Sequence, residues 1–362
     1  MNILYLSRTM GQGGAEKIVY QLATETALKG ANVFVASCGG VYVKQLEKHG
    51  IPHIQLDDLE CKKPQVIFKT LRILTGVLRR ERIDIIHTHH RMAQFYAILL
   101  KLRFPRIQIV YTAHNVFFDK ILFTRMVLQK SVIVSVGDGV KENLIQKFCV
   151  SPDQIQVIYN GVQVEKSEVN CFNSILSDMK NQNHILIGAI GRLSEQKGMD
   201  VFIRVIKNLL NQGFPVKGII IGDGEDKNIL EKMIRDMNLQ KDILLMGYQN
   251  HIPALVRQLD FVIMPSRWEG FPLLPFEVFY ANRTMIASKI SGIKEIVKHM
   301  ENGILVEPDD EKAFTEAAVC LITDETLRKN LERNGKDTFE KYNHYGDFVN
   351  QYNQIYKKIT GE

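Results

Sequence analysis

No apolar run in this chain approaches the roughly 18 residues needed to cross a bilayer, and the start, Asn2 to Leu6 followed by Arg8, is too short for a secretory apolar core. Tryptophan occurs once, and no internal repeat or low-complexity tract appears. The five cysteines, Cys38, Cys61, Cys149, Cys171 and Cys320, show no Cys-x-x-Cys or Cys/His metal spacing. Their odd number and scatter suit a reducing compartment and predict buried free thiols, so a cytoplasmic location is expected. A dinucleotide fingerprint is also missing. Gly11-Gln-Gly-Gly-Ala-Glu16 follows the first predicted strand without matching G-x-G-x-x-G. The second predicted strand ends at Ser37-Cys38-Gly39-Gly40 without a clear ribose-binding acid, which argues against a dehydrogenase.

The 362 residues, 45% hydrophobic, suffice for two domains with a core each. Short strands rich in β-branched residues alternate with helical patterns. In the first half the strands are expected at Ile3 to Ser7, Val33 to Ser37, Ile83 to His87, Gln108 to Thr112 and Ser131 to Val136. A second series is expected at Ile185 to Ile190, Lys217 to Ile221, Ile243 to Met246, Phe261 to Pro265, Met285 to Ser288 and Ile304 to Val306. The fold class is therefore α/β with two doubly wound parallel sheets. The pattern divides into an N-terminal domain at 1–165, a polar linker at 166–184 with one short helix, a second domain at 185–342, and a last helix at 343–362.

Charge is shared unevenly. Residues 1–165 carry 21 Lys and Arg against 13 Asp and Glu, a net +8, while the remainder is −2. The excess gathers in two stretches that mix bases with apolar residues. The first has Lys62, Lys63, Lys69, Arg72, Arg79, Arg80 and Arg82; the second covers Lys101 to Arg106 and Phe117 to Lys130. Such a surface suits anionic lipid headgroups at the inner face of a membrane, and an ordinary solvated helix face would read the same way. No nucleic-acid-binding motif accompanies it, so no nucleic-acid partner is expected.

Two loops carry the chemistry. Behind the strand that ends near Ser266, Arg267-Trp-Glu-Gly-Phe-Pro-Leu-Leu-Pro-Phe-Glu277 sets Glu269 and Glu277 eight positions apart across a turn that opens a helix. Gly270 and Pro272 let backbone approach a ligand, and the helix start offers N–H groups to phosphate. Carboxylates accept from sugar hydroxyls, so the pair can hold two ends of a nucleotide sugar. Upstream, Ile185 to Ile190 runs into Gly191-Arg-Leu-Ser-Glu-Gln-Lys-Gly198, where Arg192 and Lys197 can converge on an anion. An exposed basic loop is the plain alternative, but both loops fall at strand C-termini, where open α/β sheets bind ligands.

With these blocks stand Gly222-Asp223-Gly224, Gly247-Tyr248, Ser291-Gly292-Ile293-Lys294-Glu295-Ile296 and Asn302-Gly303. The N-terminal half adds Gly13-Gly14-Ala15-Glu16, Asp84 to His89, His114-Asn115 and Tyr159-Asn160-Gly161-Val162. In order and spacing the chain closely resembles the retaining glycosyltransferases of family 4, which have the GT-B fold, along essentially its whole length. The resemblance implies that Arg192 and Lys197 hold a donor diphosphate, Glu277 the ribose and Glu269 the transferred sugar. The Gly270, Phe271, Pro272, Leu273 and Leu274 turn would complete the cradle, Gly222 and Tyr248 would line the base, and Gly13 and Gly14 would lie near phosphate and acceptor. His114 falls where a family histidine approaches the reacting sugar; a structural strand-end histidine is the competing reading, and it is preferred for His87, His89 and His90. The segment Val278 to Thr284 departs from the family's small residues and Gly-x-Pro.

The pairs Asp57-Asp58 and Asp309-Asp310 are not a metal-binding D-x-D and read as solvated loop carboxylates, so no metal or other cofactor is expected. By the same resemblance the reaction retains anomeric configuration, with two domains closing over the donor to exclude water. The expected donor is a nucleotide sugar, UDP ahead of GDP, and the expected acceptor a glycan, lipid-linked in bacterial cell-surface polysaccharide assembly. An epimerase-like GT-B enzyme and a non-catalytic sugar-nucleotide-binding partner remain open alternatives.

Overall fold

The computed structural model describes residues 1–129, 131–163, 173–343 and 345–361. The chain divides into two compact units, Met1–Gly161 with Tyr345–Glu362, and Val162–His344.

In the first unit seven strands form one sheet: β1 (Asn2–Leu6), β2 (Asn32–Ser37), β3 (His53–Gln55), β4 (Ile85–Thr88), β5 (Gln108–Ala113), β6 (Val132–Ser135) and β7 (Ile155–Val157). Their order is β3-β2-β1-β4-β5-β6-β7, and every pairing is parallel. Helices cover a parallel sheet on both faces, which is why β1 and β4 read as nearly unbroken apolar runs. The sense in which successive strands are added to the sheet reverses between β1 and β4, where Leu6 pairs with Thr88, so the loops after these strands start side by side at the topological switch point. One layer of the core joins Leu4, Leu6 and Ile86 to Leu74, Tyr96, Ala97 and Leu100 of the helices Pro64–Arg80 and Arg91–Arg103.

The final helix, Tyr345–Thr360, belongs to this first unit and buries Phe348, Val349, Tyr352, Ile355 and Tyr356. Each such side chain contributes roughly 1.5–3 kcal/mol by leaving water.

The second unit holds β8 (Ile185–Ile190), β9 (Val216–Ile221), β10 (Ile243–Leu245), β11 (Phe261–Met264), β12 (Met285–Ser288) and β13 (Ile304–Val306). They form a parallel sheet in the order β10-β9-β8-β11-β12-β13, with the switch point between β8 and β11. Its core runs from Ile187, Ile220, Ile263 and Ile286 into the buried face of helix Met199–Asn211. The unit's two ends are clipped together: Val162 N donates to Asn343 Oδ1 and Asn343 Nδ2 donates to Val162 O, both at 2.8 Å.

Eleven expected strands form, with ends shifted by up to two residues; β3 and β7, three residues each, were not anticipated. Such short strands carry too little pattern to stand out from loop. The thiols differ from expectation. Cys149 and Cys320 are exposed and Cys38 and Cys61 half-buried, while Cys171 lies outside the described residues. Nor are the aspartate pairs merely solvated. Asp58 accepts a two-pronged bond from Arg8 at 3.0 and 2.9 Å and Asp57 meets Lys69 at 2.9 Å. Asp310 caps helix Glu311–Thr323 by accepting from Ala313 N at 2.9 Å, and Asp309 accepts from Arg267. No helix among the described residues is long and apolar enough to span a membrane.

Candidate active site

In the second unit the loops after β8 and β11 are stitched into one structure. The β8 loop ends in a single 3-10 turn, Glu195–Lys197, before helix Met199–Asn211 begins. Arg267, just beyond β11, donates from Nη1 to Glu195 O at 2.7 Å, from Nη2 to Asp200 Oδ2 at 2.9 Å and from Nε to Asp309 Oδ1 at 2.9 Å. Its own N–H reaches Gln196 O at 2.8 Å, and Gln196 Nε2 returns a bond to Trp268 O at 2.8 Å. A planar guanidinium with fixed donors suits this three-way anchor in a way lysine does not. Asp200, although partly desolvated, is held below the usual carboxylate range by Arg267 and Arg204, and its bond raises the Arg267 pKa in turn.

This scaffold brings Lys197 against Glu269, with Nζ donating to Oε1 at 2.5 Å. Glu269 is only 7% exposed and the lysine side chain 21%. Gln196 Nε2 lies 3.5 Å from the other carboxylate oxygen. Arg192 sits exposed at the head of the same loop.

The four side chains from Phe271 to Leu274 are buried, so that turn presents backbone rather than side chains. Helix Leu274–Tyr280 follows and carries Glu277, 9% exposed, in its first turn. Two glycines are required by close approach. A Cβ at Gly292 would lie 1.8 Å from Gly270 O, so the short helix Ser291–Lys294 can press directly on the Glu269 loop only without a side chain there. Gly222 has φ +146°, and a Cβ on it would fall 1.9 Å from Gly191 O; its N–H donates to Gly247 O at 2.9 Å. The ends of β8, β9 and β10 are thereby drawn together, with Tyr248 on the third loop bonded through its hydroxyl to Asn250 Oδ1 at 3.0 Å.

In the first unit, Gly13 caps helix Gly14–Leu28 with extended backbone, and Thr9 Oγ1 donates to Glu16 Oε1 in its first turn at 2.6 Å. The histidines form a layer behind the switch point. His87 is fully buried and committed through both nitrogens, to Tyr356 Oη at 2.7 Å and Thr112 Oγ1 at 2.8 Å. Tyr356 also meets Tyr5 Oη at 3.1 Å, and Thr112 meets Tyr352 Oη at 3.1 Å, so the final helix closes this polar cluster. The His89 ring lies tilted against His87, centroids 4.1 Å apart, and reaches His114 through a 2.8 Å bond between Nδ1 and Nε2. Burial pushes His87 and His89 well below the normal histidine pKa and takes His114 down to about 3, so all three stay neutral near pH 7. His90 caps helix Arg91–Arg103, with Nδ1 accepting from Met92 N at 3.3 Å.

Sequence reasoning singled out Lys197 and Glu269 separately, and the structure joins them. It missed Arg267 and Gln196 as supports, whose pattern is that of any polar loop. It assigned His89 to structure, and the structure adds that His89 is buried and hydrogen-bonded to His114.

Two doubly wound parallel sheets, each with its loops gathered at strand C-termini, define a two-Rossmann-unit α/β architecture that binds ligands at those loops. Residues 12–166 match the family described as Glycosyltransferase Family 4, and residues 177–338 match Glycosyl transferases group 1. The chain belongs to glycosyltransferase family 4 and has the GT-B fold. It is 29% identical over 286 residues, 74% of each chain, to UDP-Gal:alpha-D-GlcNAc-diphosphoundecaprenol alpha-1,3-galactosyltransferase of Escherichia coli. A second relative is N-acetylgalactosamine-N,N'-diacetylbacillosaminyl-diphospho-undecaprenol 4-alpha-N-acetylgalactosaminyltransferase of Campylobacter jejuni, 24% identical over 91% of this chain and 92% of that protein. Among solved structures, Anabaena HepE in complex with UDP-glucose superposes with a TM-score of 0.84 at 21% identity, over 99% of this chain and 100% of that one.

Proposed function

We propose that this glycosyltransferase moves a hexose or N-acetylhexosamine from a UDP-sugar to a lipid-linked glycan with retention of anomeric configuration. The observation that carries the proposal is the Lys197–Glu269 pair, a cation and a nearly buried carboxylate locked together by Arg267 at the switch point of the second unit. A sugar diphosphate has hydroxyls and an anion side by side, and this pair offers an acceptor and a positive charge side by side. Arg192 and Lys197 hold the diphosphate, Glu269 the sugar hydroxyls and Glu277 the ribose. The Gly270 to Leu274 backbone, Gly222 and Tyr248 complete the donor site. Within the first unit, Gly13, Gly14 and His114 are the candidate residues toward phosphate, acceptor and reacting sugar.

In this reading the bond between the anomeric carbon and the diphosphate oxygen breaks, and its electron pair leaves with the diphosphate. The acceptor hydroxyl oxygen bonds to the carbon from the same face, and its proton passes to the departing diphosphate. Charge on the leaving group is stabilised by Lys197 and Arg192 without a metal ion. A UDP donor is supported by the UDP-Gal in the name of the Escherichia coli relative and by the UDP-glucose bound to HepE. The undecaprenol-linked substrates named for both relatives support a lipid-linked acceptor.

Association with the inner leaflet is supported by a surface of the first unit. Phe118, Ile121, Leu122 and Met126 are exposed, Leu122 by 83%, on and just before helix Ile121–Leu128. Lys147 lies 4.8 Å over the Phe118 ring, and Lys120 and Arg125 flank the patch. Apolar side chains among bases fit an anionic lipid surface.

The test is a panel of UDP-, GDP- and ADP-sugars followed by thermal shift and by release of free nucleotide. Stabilisation by one UDP-sugar, with release accelerated by a lipid-linked glycan, is expected. A GDP-sugar as sole responder would overturn the donor assignment, and stabilisation without release under any acceptor would overturn the transferase roles of Arg192 and Lys197.

A further inference from the structure

We infer that His89 is a positioning residue that fixes His114 as a neutral imidazole carrying its proton on Nδ1. The two rings share one hydrogen bond, His89 Nδ1 to His114 Nε2 at 2.8 Å. His89 is 7% exposed, and its other nitrogen, Nε2, is buried with no hydrogen-bond partner among the described residues. The ring is held in place by its neighbours, tilted against His87 with centroids 4.1 Å apart and stacked on His114 at 5.1 Å and Tyr5 at 6.0 Å. His87 is itself immobilised through both nitrogens by Tyr356 and Thr112, so it has no donor or acceptor left for its neighbour.

With both rings neutral, the shared proton has two placements. If His114 Nε2–H donates, His89 accepts at Nδ1 and must carry its own proton on Nε2, which leaves a buried N–H pointing at nothing. If His89 Nδ1–H donates, only a bare lone pair is left in that pocket. Orphaned buried N–H groups are rarer than under-used acceptors, and this selects the second arrangement. His114 then accepts at Nε2 and keeps its proton on Nδ1. Its side chain is half-buried and Nε2 is taken, so the ring offers its remaining side as a hydrogen-bond donor. Burial of both rings supports neutrality of the pair. The ligand chemistry this suits is an oxygen acceptor, such as a sugar hydroxyl oxygen. That last step rests on the proposed approach of His114 to the transferred sugar; the proton placement does not.

The experiment is a long-range proton–nitrogen spectrum of the full chain labelled with ¹⁵N-histidine, assigned with His89→Phe, His89→Asn and His114→Gln. Wild type is expected to show His114 protonated on Nδ1 with a bare Nε2. His89→Asn keeps an N–H near the position of Nδ1 and should preserve that state. His89→Phe fills the space without a donor and should release it to the Nε2–H form or a mixture. Turnover should follow, with kcat falling about ten-fold in His89→Phe, donor KM nearly unchanged, and most of the loss recovered in His89→Asn. A wild-type His114 protonated on Nε2 would overturn the inference whatever the activities. Should the phenylalanine variant not fold, the wild-type and asparagine spectra still decide. An Nδ1–H His114 in an enzyme whose His114→Gln variant keeps full kcat would overturn the role of His114 at the sugar and leave the proton placement standing.

Discussion

Lys197 Nζ lies 2.5 Å from Glu269 Oε1, and the carboxylate it contacts is 7% exposed to solvent. Removing one member of such a pair leaves the other's charge stranded, which costs more than the pair itself contributes. Lys197→Ala is expected to abolish turnover and to lower stability by about 2 kcal/mol, discounted for the lysine's partial exposure. For a unit of this size that is a fall of roughly 4–8 °C in melting temperature. Neutralising both, as Lys197→Met with Glu269→Gln, should restore much of the stability and none of the activity. Near-normal turnover in Lys197→Ala would sink the proposed diphosphate role.

Gly292→Ala puts a methyl group 1.8 Å from Gly270 O, so the Glu269 loop must move. Overpacking of this kind costs about 1–3 kcal/mol. Donor affinity, read by isothermal titration, should drop in step with it. Gly76→Ala is the control, because nothing lies within 4 Å of its added methyl and it sits inside helix Pro64–Arg80. That change should stabilise by about 0.5–1 kcal/mol through helix propensity and leave donor binding unaltered. Equal donor affinities in the two variants would contradict the loop contact.

Acid should weaken the first unit. His87 and His89 have folded pKa values held well below 6.5 by burial, so below pH 6.5 the unfolded chain binds protons that the folded chain refuses. Stability therefore falls as pH drops through and below 6.5, by up to about 1.4 kcal/mol per pH unit for each histidine, and is fully present above it. Chemical denaturation between pH 7.5 and 5 checks this, and a flat profile would refute it. Replacing His87 by Gln should flatten the slope.

Leu122→Asp and Phe118→Asp change exposed side chains, so folding should be untouched while sedimentation with anionic vesicles weakens by about ten-fold for each residue. Unchanged vesicle binding in the double variant would locate the membrane surface elsewhere, and absence of binding by the wild type would remove it.

Fold class was legible because a fully covered parallel sheet writes itself as repeated β-branched runs. Ile185–Ile190, Met285–Ser288 and Ile304–Val306 lie where the pattern places them. Strands β3 and β7 were not, since three residues make no period. Arg192, Lys197 and Glu269 stand out because charge next to glycine in a loop is unusual, and Glu277 because it is a charge in an otherwise apolar helix start. Their supports do not, because what makes Arg267 an anchor is the meeting of Glu195, Asp200 and Asp309 from separate segments. The histidine layer was visible as His87, His89 and His114, yet which ring holds which depends on β4 lying beside β5, with His87 paired to Val110.

The helix Tyr345–Thr360 completes a unit whose other strands and helices all precede residue 162. On the ribosome, the first unit's strands emerge early but wait for Tyr352 and Tyr356, the partners of Thr112, Tyr5 and His87, until the second unit has been synthesised. The second unit, by contrast, is continuous in sequence, with its ends clipped at Val162 and Asn343. The polar cluster around His87 is thus assembled from the two sequence extremes of its unit, and cannot close before residues 345–360 have been made.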